Sequence, residues 1–164
     1  MADFAPIFSE QLYYSAVRET RTSKFYPLLT EGIQVRLLRC LYHLEQSRIN
    51  QCVELFNDVA VQSVRIGLPR DQDVNGSRVP SVIDIQTRRR TFWCIYAIDI
   101  LLATIREKPL CFSEEISIPL PACVDDEELH MADGDSAASR IEYETPNELT
   151  GNPSIMFPVI AHIK

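Results

Sequence analysis

Ionisable side chains in unusual surroundings are concentrated in one segment of this 164-residue chain. Arg88, Arg89 and Arg90 are consecutive, and they lead into a run from Phe92 to Ile105 that is almost wholly apolar. Three guanidinium groups could bind phosphate or an acidic partner. Neighbouring helical positions point about 100° apart, so we instead expect one or two of these arginines to turn inward and pair with carboxylates. The candidate partners are Asp71, Asp73, Asp84 and Asp58.

Asp99 is the one carboxylate inside that apolar run. A buried charge is strongly disfavoured unless it has a partner, so Asp99 must be paired or must face a cavity. It could act as an acid, a base or a ligand anchor, but a core ion pair is the role that we expect. The candidate partners are Arg65, Arg70 and Arg89.

Other kinds of chemistry have little support in the sequence. His43, His130 and His162 are far apart, and no cysteine pair has the spacing of a zinc site. The few glycines are not clustered, which excludes a glycine-rich phosphate loop, and no serine or cysteine lies in a nucleophile motif. We therefore predict no enzyme activity, no metal site and no cofactor in this chain.

Aromatic residues close to Asp99 are expected to belong to the core. Trp93 is the only tryptophan, and it could line a ligand site, but beside Phe92 and Tyr96 on a buried helix it is expected to pack inside. If the domain holds a small molecule in an apolar cavity, the candidate lining residues are Tyr42, Tyr96 and Asp99. The cysteines are odd in number and widely spaced, so we expect free, buried thiols.

Apolar residues at three- and four-residue steps predict the helices that must position these side chains. One helix is predicted over residues 30–44 and a second over residues 52–68, and the short turn between them implies an antiparallel hairpin. Gly67 is placed where the second helix would end in a left-handed conformation. Weaker helical periodicity runs over residues 8–20.

The helix predicted over residues 84–105 is the expected centre of the fold. Ser81 is a capping residue before it, Pro109 is a stop after it, and apolar residues lie on every face. A helix of that kind is usually buried. We therefore predict an all-α fold, an irregular multi-helix bundle around one buried central helix. A proline-rich and acidic loop region follows it, and residues 154–164 regain helical spacing.

The net charge of −7 is unevenly distributed. Residues 114–148 contain eleven acidic residues and one basic residue, Arg140, whereas residues 1–113 are close to balance. No part is strongly basic, so the chain lacks the positive surface that holds DNA phosphates. Residues 125–148 are acidic and poor in large apolar residues, so we expect them to be mobile. Within them the stretch 125–129 is expected to be a solvated loop, with an activation-like or partner-binding segment as the alternative. No apolar run reaches the length of a membrane span.

Several sequence blocks together resemble one known family. The segment RRRTFWCIYAID (88–99) is followed by Lys108-Pro109 and by IPLP (118–121), and it is preceded by IGLPRD (66–71). In this order and spacing the blocks resemble the middle homology region of fungal binuclear zinc-cluster transcription factors, over roughly residues 28–121. Two positions depart from that pattern, because Pro69 stands for its histidine and Glu107-Lys108 stands for its Gly-Arg. The residues that carry the resemblance are Gly67, Arg70, Asp71, Arg89, Arg90, Phe92, Trp93, Asp99 and Pro109.

The resemblance implies a helical regulatory domain of a nuclear transcription factor. Residues 1–27 would be a lead-in, 28–121 the core of the domain, 122–153 an acidic loop and 154–164 the start of a further, truncated helix. In this family the two zinc ions and the DNA contacts belong to a separate N-terminal six-cysteine module, so this chain is expected to hold neither. The implied regulation is intramolecular or depends on a small-molecule effector. The alternative is a helical dimerisation or protein-interaction module, acting as a homodimer or with a coregulator.

Overall fold

The computed structural model describes residues 5–22, 30–70, 81–113, 116–122 and 127. These residues form four α-helices, α1 (Ala5–Thr22), α2 (Thr30–Glu45), α3 (Ile49–Arg65) and α4 (Val82–Arg106). No strand occurs in these ranges, so the predicted all-α fold is confirmed for them. The chain divides into two compact units, Met1–Gln62 and Ser63–Lys164, with the boundary near the end of α3. None of the described helices combines the length and the apolarity that crossing a membrane requires.

The first unit contains α1, α2 and most of α3. Residues 30–44 and 52–68, with their predicted apolar stripes, lie largely in α2 and α3, and the expected short turn joins the two helices. Cys40 Sγ lies 3.9 Å from the carbonyl oxygen of Cys52, a close approach that fits the predicted hairpin. The weak periodicity over residues 8–20 lies within α1. The two helices of the hairpin bury Ile33, Leu37, Cys40, Cys52, Phe56 and Val59.

Helices α2, α3 and α4 all end in the same backbone motif. The chain turns left-handed at Ser47 (φ 56°), Gly67 (φ 68°) and Glu107 (φ 51°). In each case the N–H of the following residue donates to a carbonyl five positions back, at 2.8, 2.9 and 3.0 Å respectively, which is a Schellman motif. The predicted left-handed end at Gly67 is confirmed. Serine and glutamate adopt the same conformation at a cost of about 1 kcal/mol relative to glycine.

The second unit is built around α4. Ser81 caps the helix as predicted, because its Oγ accepts a hydrogen bond from the N–H of Asp84 at 3.1 Å. The helix ends at Arg106, two residues before the Lys108-Pro109 pair. The segment 116–122, which contains Pro119, is neither helix nor strand, as expected from that proline.

One side of α4 is exposed, which corrects the expectation that this helix is enclosed on every face. Phe92 and Ile98 are buried, whereas Ile100, Leu101 and Ile105 are 37%, 46% and 48% exposed. A helix that is apolar all round carries no sequence pattern that distinguishes its covered face from its uncovered face. The acidic stretch 125–148, apart from Glu127, and the predicted helix at 154–164 lie outside the described residues.

Candidate functional site

In the second unit, residues 110–113 and 116–122 run back along α4. We call these described residues the return segment. Three buried polar side chains of α4, Gln86, Trp93 and Asp99, bind its backbone, and we call them the fastening residues. They are 1%, 9% and 2% exposed. Their hydrogen-bonding groups therefore act away from bulk water, where a lost partner is costly.

Asp99 is the fastening residue that the return segment meets first. Its Oδ1 accepts a hydrogen bond from the backbone N–H of Cys111 at 3.1 Å, and its Oδ2 accepts one from the N–H of Phe112 at 3.0 Å. These charge-assisted bonds offset the cost of burying the carboxylate. Two backbone amides thus bind the Asp99 carboxylate, and an arginine partner for it stays a prediction.

Trp93 and its aromatic neighbours hold the middle of the return segment. The indole Nε1 of Trp93 donates to the carbonyl oxygen of Pro119 at 2.9 Å. The ring of Phe92 packs edge-on against Trp93 and against Phe112, with centroid distances of 5.5 and 5.6 Å. Edge-to-face packing of this kind stabilises a core beyond the burial of apolar area alone. Trp93 therefore serves as both a core residue and a hydrogen-bond donor.

Gln86 holds the far end of the return segment. Its Oε1 accepts a hydrogen bond from the backbone N–H of Ala122 at 2.9 Å. Gln86 is not among the residues for which the sequence predicts a role. Its position seven residues before Trp93, which places both on one face of a helix, was the only available indication.

The fastening residues occupy two faces of α4. Gln86 and Trp93 are two turns apart on one face, whereas Asp99 lies about 120° around the helix from Trp93. The return segment thus begins at Asp99 and crosses to the other face as it runs toward the N-terminal end of α4. From Asp99 to Gln86 it follows the helix for about 20 Å.

The return segment is also tied to the turn that follows α3. The carbonyl oxygen of Pro69 lies 3.3 and 3.2 Å from the backbone nitrogens of Ser117 and Ile118, and it accepts both hydrogen bonds. Pro69 is one of the positions that depart from the pattern of the resemblance, but this contact uses only its backbone carbonyl. The departure therefore does not remove these two hydrogen bonds.

Arg88 is an arginine of the triplet that is turned inward. Its Nη2 donates to the carbonyl oxygens of Ile66 and Gly67, each at 3.2 Å. These carbonyls lie just beyond α3, at the end of a helix where a positive charge is favourable. Arg88 therefore binds backbone carbonyls, and its pairing with a carboxylate stays a prediction. Two of the suggested partners, Asp71 and Asp73, lie outside the described residues.

The other residues of the family resemblance lie around the same structure. Arg70 and Pro109 are exposed, and Arg89 and Arg90 are half-buried. Asp71 lies outside the described residues. Their functional importance stays a prediction.

A second polar cluster joins α1 to α2 in the first unit. The hydroxyl of Tyr13 lies 2.8 Å from His43 Nε2, and it accepts a hydrogen bond from Arg39 Nε at 3.3 Å. The Tyr13 ring is also stacked on Tyr42, with centroids 4.3 Å apart and an interplanar angle of 12°. Because the hydroxyl oxygen of Tyr13 accepts the hydrogen bond from Arg39, the O–H of Tyr13 is available to donate to His43 Nε2.

His43 is a buried imidazole in a positive environment. Burial lowers the pKa of His43, and the neighbouring guanidinium groups of Arg39 and Arg48 lower it further. Arg48 itself forms an ion pair with Glu10 of α1. The neutral form of His43 is therefore the one that suits the contact between α1 and α2.

The suggested ligand-lining residues belong to different units. Tyr42 lies in the first unit, stacked on Tyr13. Tyr96 and Asp99 lie in the second, and the Tyr96 ring packs edge-on against Trp93 at 5.5 Å. Both oxygens of Asp99 hold the return segment, so a ligand at Asp99 would compete with those backbone amides. A ligand site at these residues stays a prediction.

The described cysteines do not form a zinc cluster. No group of three or more potential metal ligands occurs in the described ranges. Cys40 and Cys52 are buried free thiols, and burial, followed by the neighbouring Cys52, raises the pKa of Cys40 to about 12. Cys94 and Cys111 are free and exposed, which corrects the expectation of buried thiols for these two.

The fold and the contacts define an all-α domain in which the fastening residues are engaged in holding the chain's own backbone. A sequence model of the fungal specific transcription factor domain matches residues 8–157, which is most of the chain and more than the stretch that carried the resemblance. The chain therefore belongs to the fungal-specific transcription factor domain family, which is a family of transcription factors and not a known enzyme family. No curated protein and no solved structure matches it significantly.

Proposed function

We propose that this chain is the regulatory domain of a fungal zinc-cluster transcription factor, acting in the nucleus without touching DNA itself. The observation that carries the proposal is the family match over residues 8–157. The buried polar contacts at Gln86, Trp93 and Asp99 support a structural framework in preference to a reaction centre. A framework of this kind can transmit the state of one surface to another part of the parent protein.

The charge of the chain supports a role away from DNA. Its net charge is −7, and the acidic residues are concentrated after residue 113. A protein that neutralises phosphates needs a basic stripe, and without one its affinity for DNA at physiological salt is small. DNA binding by the parent protein would come from a separate module.

We propose that the zinc ions characteristic of the family bind in the separate DNA-binding module of the parent protein. Cys40 and Cys52 are buried, Cys94 and Cys111 are exposed, and the described ligand groups form no cluster. These residues do not fit a two-zinc, six-cysteine site. We propose that the regulatory function of this chain uses no zinc of its own.

The mode of regulation is proposed to be intramolecular or dependent on a small-molecule effector. The proposed contact residues are Tyr96 and Asp99 in the second unit and, independently of them, Tyr42 in the first. An effector that displaced the backbone amides of Cys111 and Phe112 from Asp99 would loosen the return segment. Binding of this kind would couple an effector to the position of the chain that follows α4.

A transcription assay tests the regulatory role. The chain would be inserted between an unrelated zinc-cluster DNA-binding module and an activation segment, and reporter output would be compared with the same fusion lacking the chain. We expect a clear change in output that the fold-disrupting Asp99→Ala substitution abolishes and that Asp58→Ala, at an exposed position of α3, preserves. Unchanged output on insertion would overturn the proposal.

Two measurements separate the modes of regulation. Binding of an effector would raise the thermal midpoint of the full chain in proportion to its concentration relative to Kd. The alternative function, a dimerisation or interaction module without an effector, predicts instead a concentration-dependent mass in sedimentation experiments. A monomer that no metabolite stabilises would leave intramolecular regulation as the proposed mode.

A further inference from the structure

An apolar face in the C-terminal half of α4 is uncovered. Ala97, Ile100, Leu101 and Ile105 are all exposed, and their three- and four-residue spacing places them on one side of the helix. We call these four residues the α4 stripe. Along the helix axis the stripe is about 12 Å long. An uncovered apolar surface that forms one continuous stripe is typical of an interaction site.

The α4 stripe continues a face that is covered nearer the N-terminal end of the helix. Gln86, Trp93 and Ile100 follow one another at seven-residue intervals, so they lie in one line along α4. The return segment covers the first two through its contacts at Pro119 and Ala122. Its last fastened residue is Ala122, and the part of this face beyond Trp93 is left uncovered.

We propose that residues 154–164 of the same chain dock on the α4 stripe as a short amphipathic helix. This segment, SIMFPVIAHIK, contains no acidic residue, so docking would bury no carboxylate. As a helix of eleven residues it would be about 16 Å long, close to the length of the stripe. Its proline, Pro158, falls near the first turn, where the missing N–H is tolerated. Its apolar positions at helical spacing are Ile155, Val159, Ile160 and Ile163.

The connecting chain favours this occupant over a separate molecule. Residues 123–153 link Ala122, fixed beside Gln86, to the docking segment. These 31 residues are long enough to reach the stripe, since even a continuous helix of that length would be about 46 Å long, while the middle of the stripe is about 20 Å from Gln86. A linker matched to its span gives an effective concentration on the order of millimolar. The family match ends at residue 157, inside the docking segment, which places that segment's beginning within the domain.

Docking would constrain the acidic stretch that precedes the docking segment. Residues 123–153 contain nine acidic residues, and docking would anchor this stretch at both ends. Release of the docking segment would free the acidic stretch at one end. The proposal does not depend on the regulatory function, because it concerns only contacts within one chain.

Hydrogen exchange of the full chain tests the proposal. We expect the backbone amides of residues 154–164 to exchange at least about tenfold more slowly than those of an unstructured peptide of the same sequence. Leu101→Glu should remove that protection, because it places a charge in the centre of the stripe. Leu38→Glu is the matched control, since Leu38 is 66% exposed on α2 and lies outside the stripe.

A second variant distinguishes loss of docking from general unfolding of the domain. Ile160→Glu lies in the docking segment and should also remove the protection, while the amides of α4 stay protected in both variants. Fast exchange of residues 154–164 in the parent chain, or protection that survives Leu101→Glu and Ile160→Glu, would overturn the proposal. Protection that disappears on dilution would show that the stripe is covered by a second copy of the chain, and this result would also overturn the proposal.

Discussion

Asp99 accepts a hydrogen bond from the backbone N–H of Phe112 at 3.0 Å, and the ring of Phe112 packs edge-on against Phe92 at 5.6 Å. One residue of the return segment is thus held by a polar contact and an apolar contact from the same helix. Phe92 and Asp99 are seven positions apart, so they lie on one face of α4. This pairing fixes the place where the chain reverses direction after α4.

Removal of the Asp99 carboxylate should destabilise the protein. Asp99→Ala is expected to lower the free energy of unfolding by about 2–4 kcal/mol, because two backbone N–H groups lose their acceptor. Urea unfolding followed by circular dichroism would measure the change. Asp58→Ala, at an exposed position, should stay within about 0.5 kcal/mol of the parent. Equal stability of Asp99→Ala and the parent would contradict the role assigned to this carboxylate.

The far end of the return segment should respond to Gln86. Gln86→Leu removes the acceptor of the Ala122 N–H, so residues near Pro119 and Ala122 should loosen. Trp93 is the only tryptophan and binds Pro119, and its fluorescence should therefore shift to longer wavelength as water reaches the indole. We expect a loss of about 1–3 kcal/mol in the free energy of unfolding.

The matched control for Gln86→Leu is Gln51→Leu, because Gln51 is exposed on α3. Its fluorescence should match that of the parent. An unshifted spectrum in Gln86→Leu would show that the contact with Ala122 does not hold the return segment.

Substitutions in the three Schellman motifs should change stability in opposite directions, depending on whether glycine is introduced or removed. Glu107→Gly and Ser47→Gly should each raise the free energy of unfolding by about 0.5–1 kcal/mol, because glycine adopts the left-handed conformation without strain. Gly67→Ala should lower it by about 1 kcal/mol through the conformation alone, since an added Cβ at Gly67 meets no atom within 4 Å. Thermal unfolding would rank the variants, and destabilisation by Glu107→Gly would contradict the assignment.

Arg88 should matter more to stability than an arginine on the surface. Arg88→Ala removes two donors from the carbonyls of Ile66 and Gly67, and we expect a loss of about 1–2 kcal/mol. Arg88→Lys should recover only part of it, because an ammonium group lacks the planar geometry of guanidinium. Arg106→Ala, at an exposed position of the same helix, is the control. Similar losses at Arg88 and Arg106 would contradict a specific contact.

His43 should make stability depend on pH. Burial and the adjacent Arg39 and Arg48 lower its pKa in the folded protein, so the unfolded chain takes up the proton first as the pH falls. The stabilisation is complete above the ordinary histidine pKa of about 6.5, and it decreases as the pH falls through that value. The thermal midpoint should therefore decrease between about pH 7.5 and about pH 6.

His43→Gln isolates this contribution, because the other two histidines are present in both proteins. The variant should show a smaller decrease over the same range. If the thermal midpoints of the parent and of His43→Gln changed in parallel with pH, the assigned contribution of His43 would be wrong.

The sequence by itself determined where the helices lie. Apolar spacing located α2 and α3, an uninterrupted apolar run between a cap and a proline located α4, and Ser81 and Gly67 were recognisable as a cap and a left-handed end, because each signal depends on residues close together in the chain. The order of the motif blocks also indicated the family. These features are local or are read directly from the order of residues.

Only the tertiary structure decided which partners the buried polar groups take. The sequence required a partner for Asp99 and for an inward arginine, but it suggested side chains of opposite charge, whereas Asp99 and Arg88 bind backbone groups. Every residue except proline carries the same backbone N–H donor, and every residue has the same carbonyl acceptor, so composition cannot single out one. The exposed face of α4 could not be predicted for a similar reason, because apolar residues surround the helix and the covered side depends on which parts of the chain pack against it.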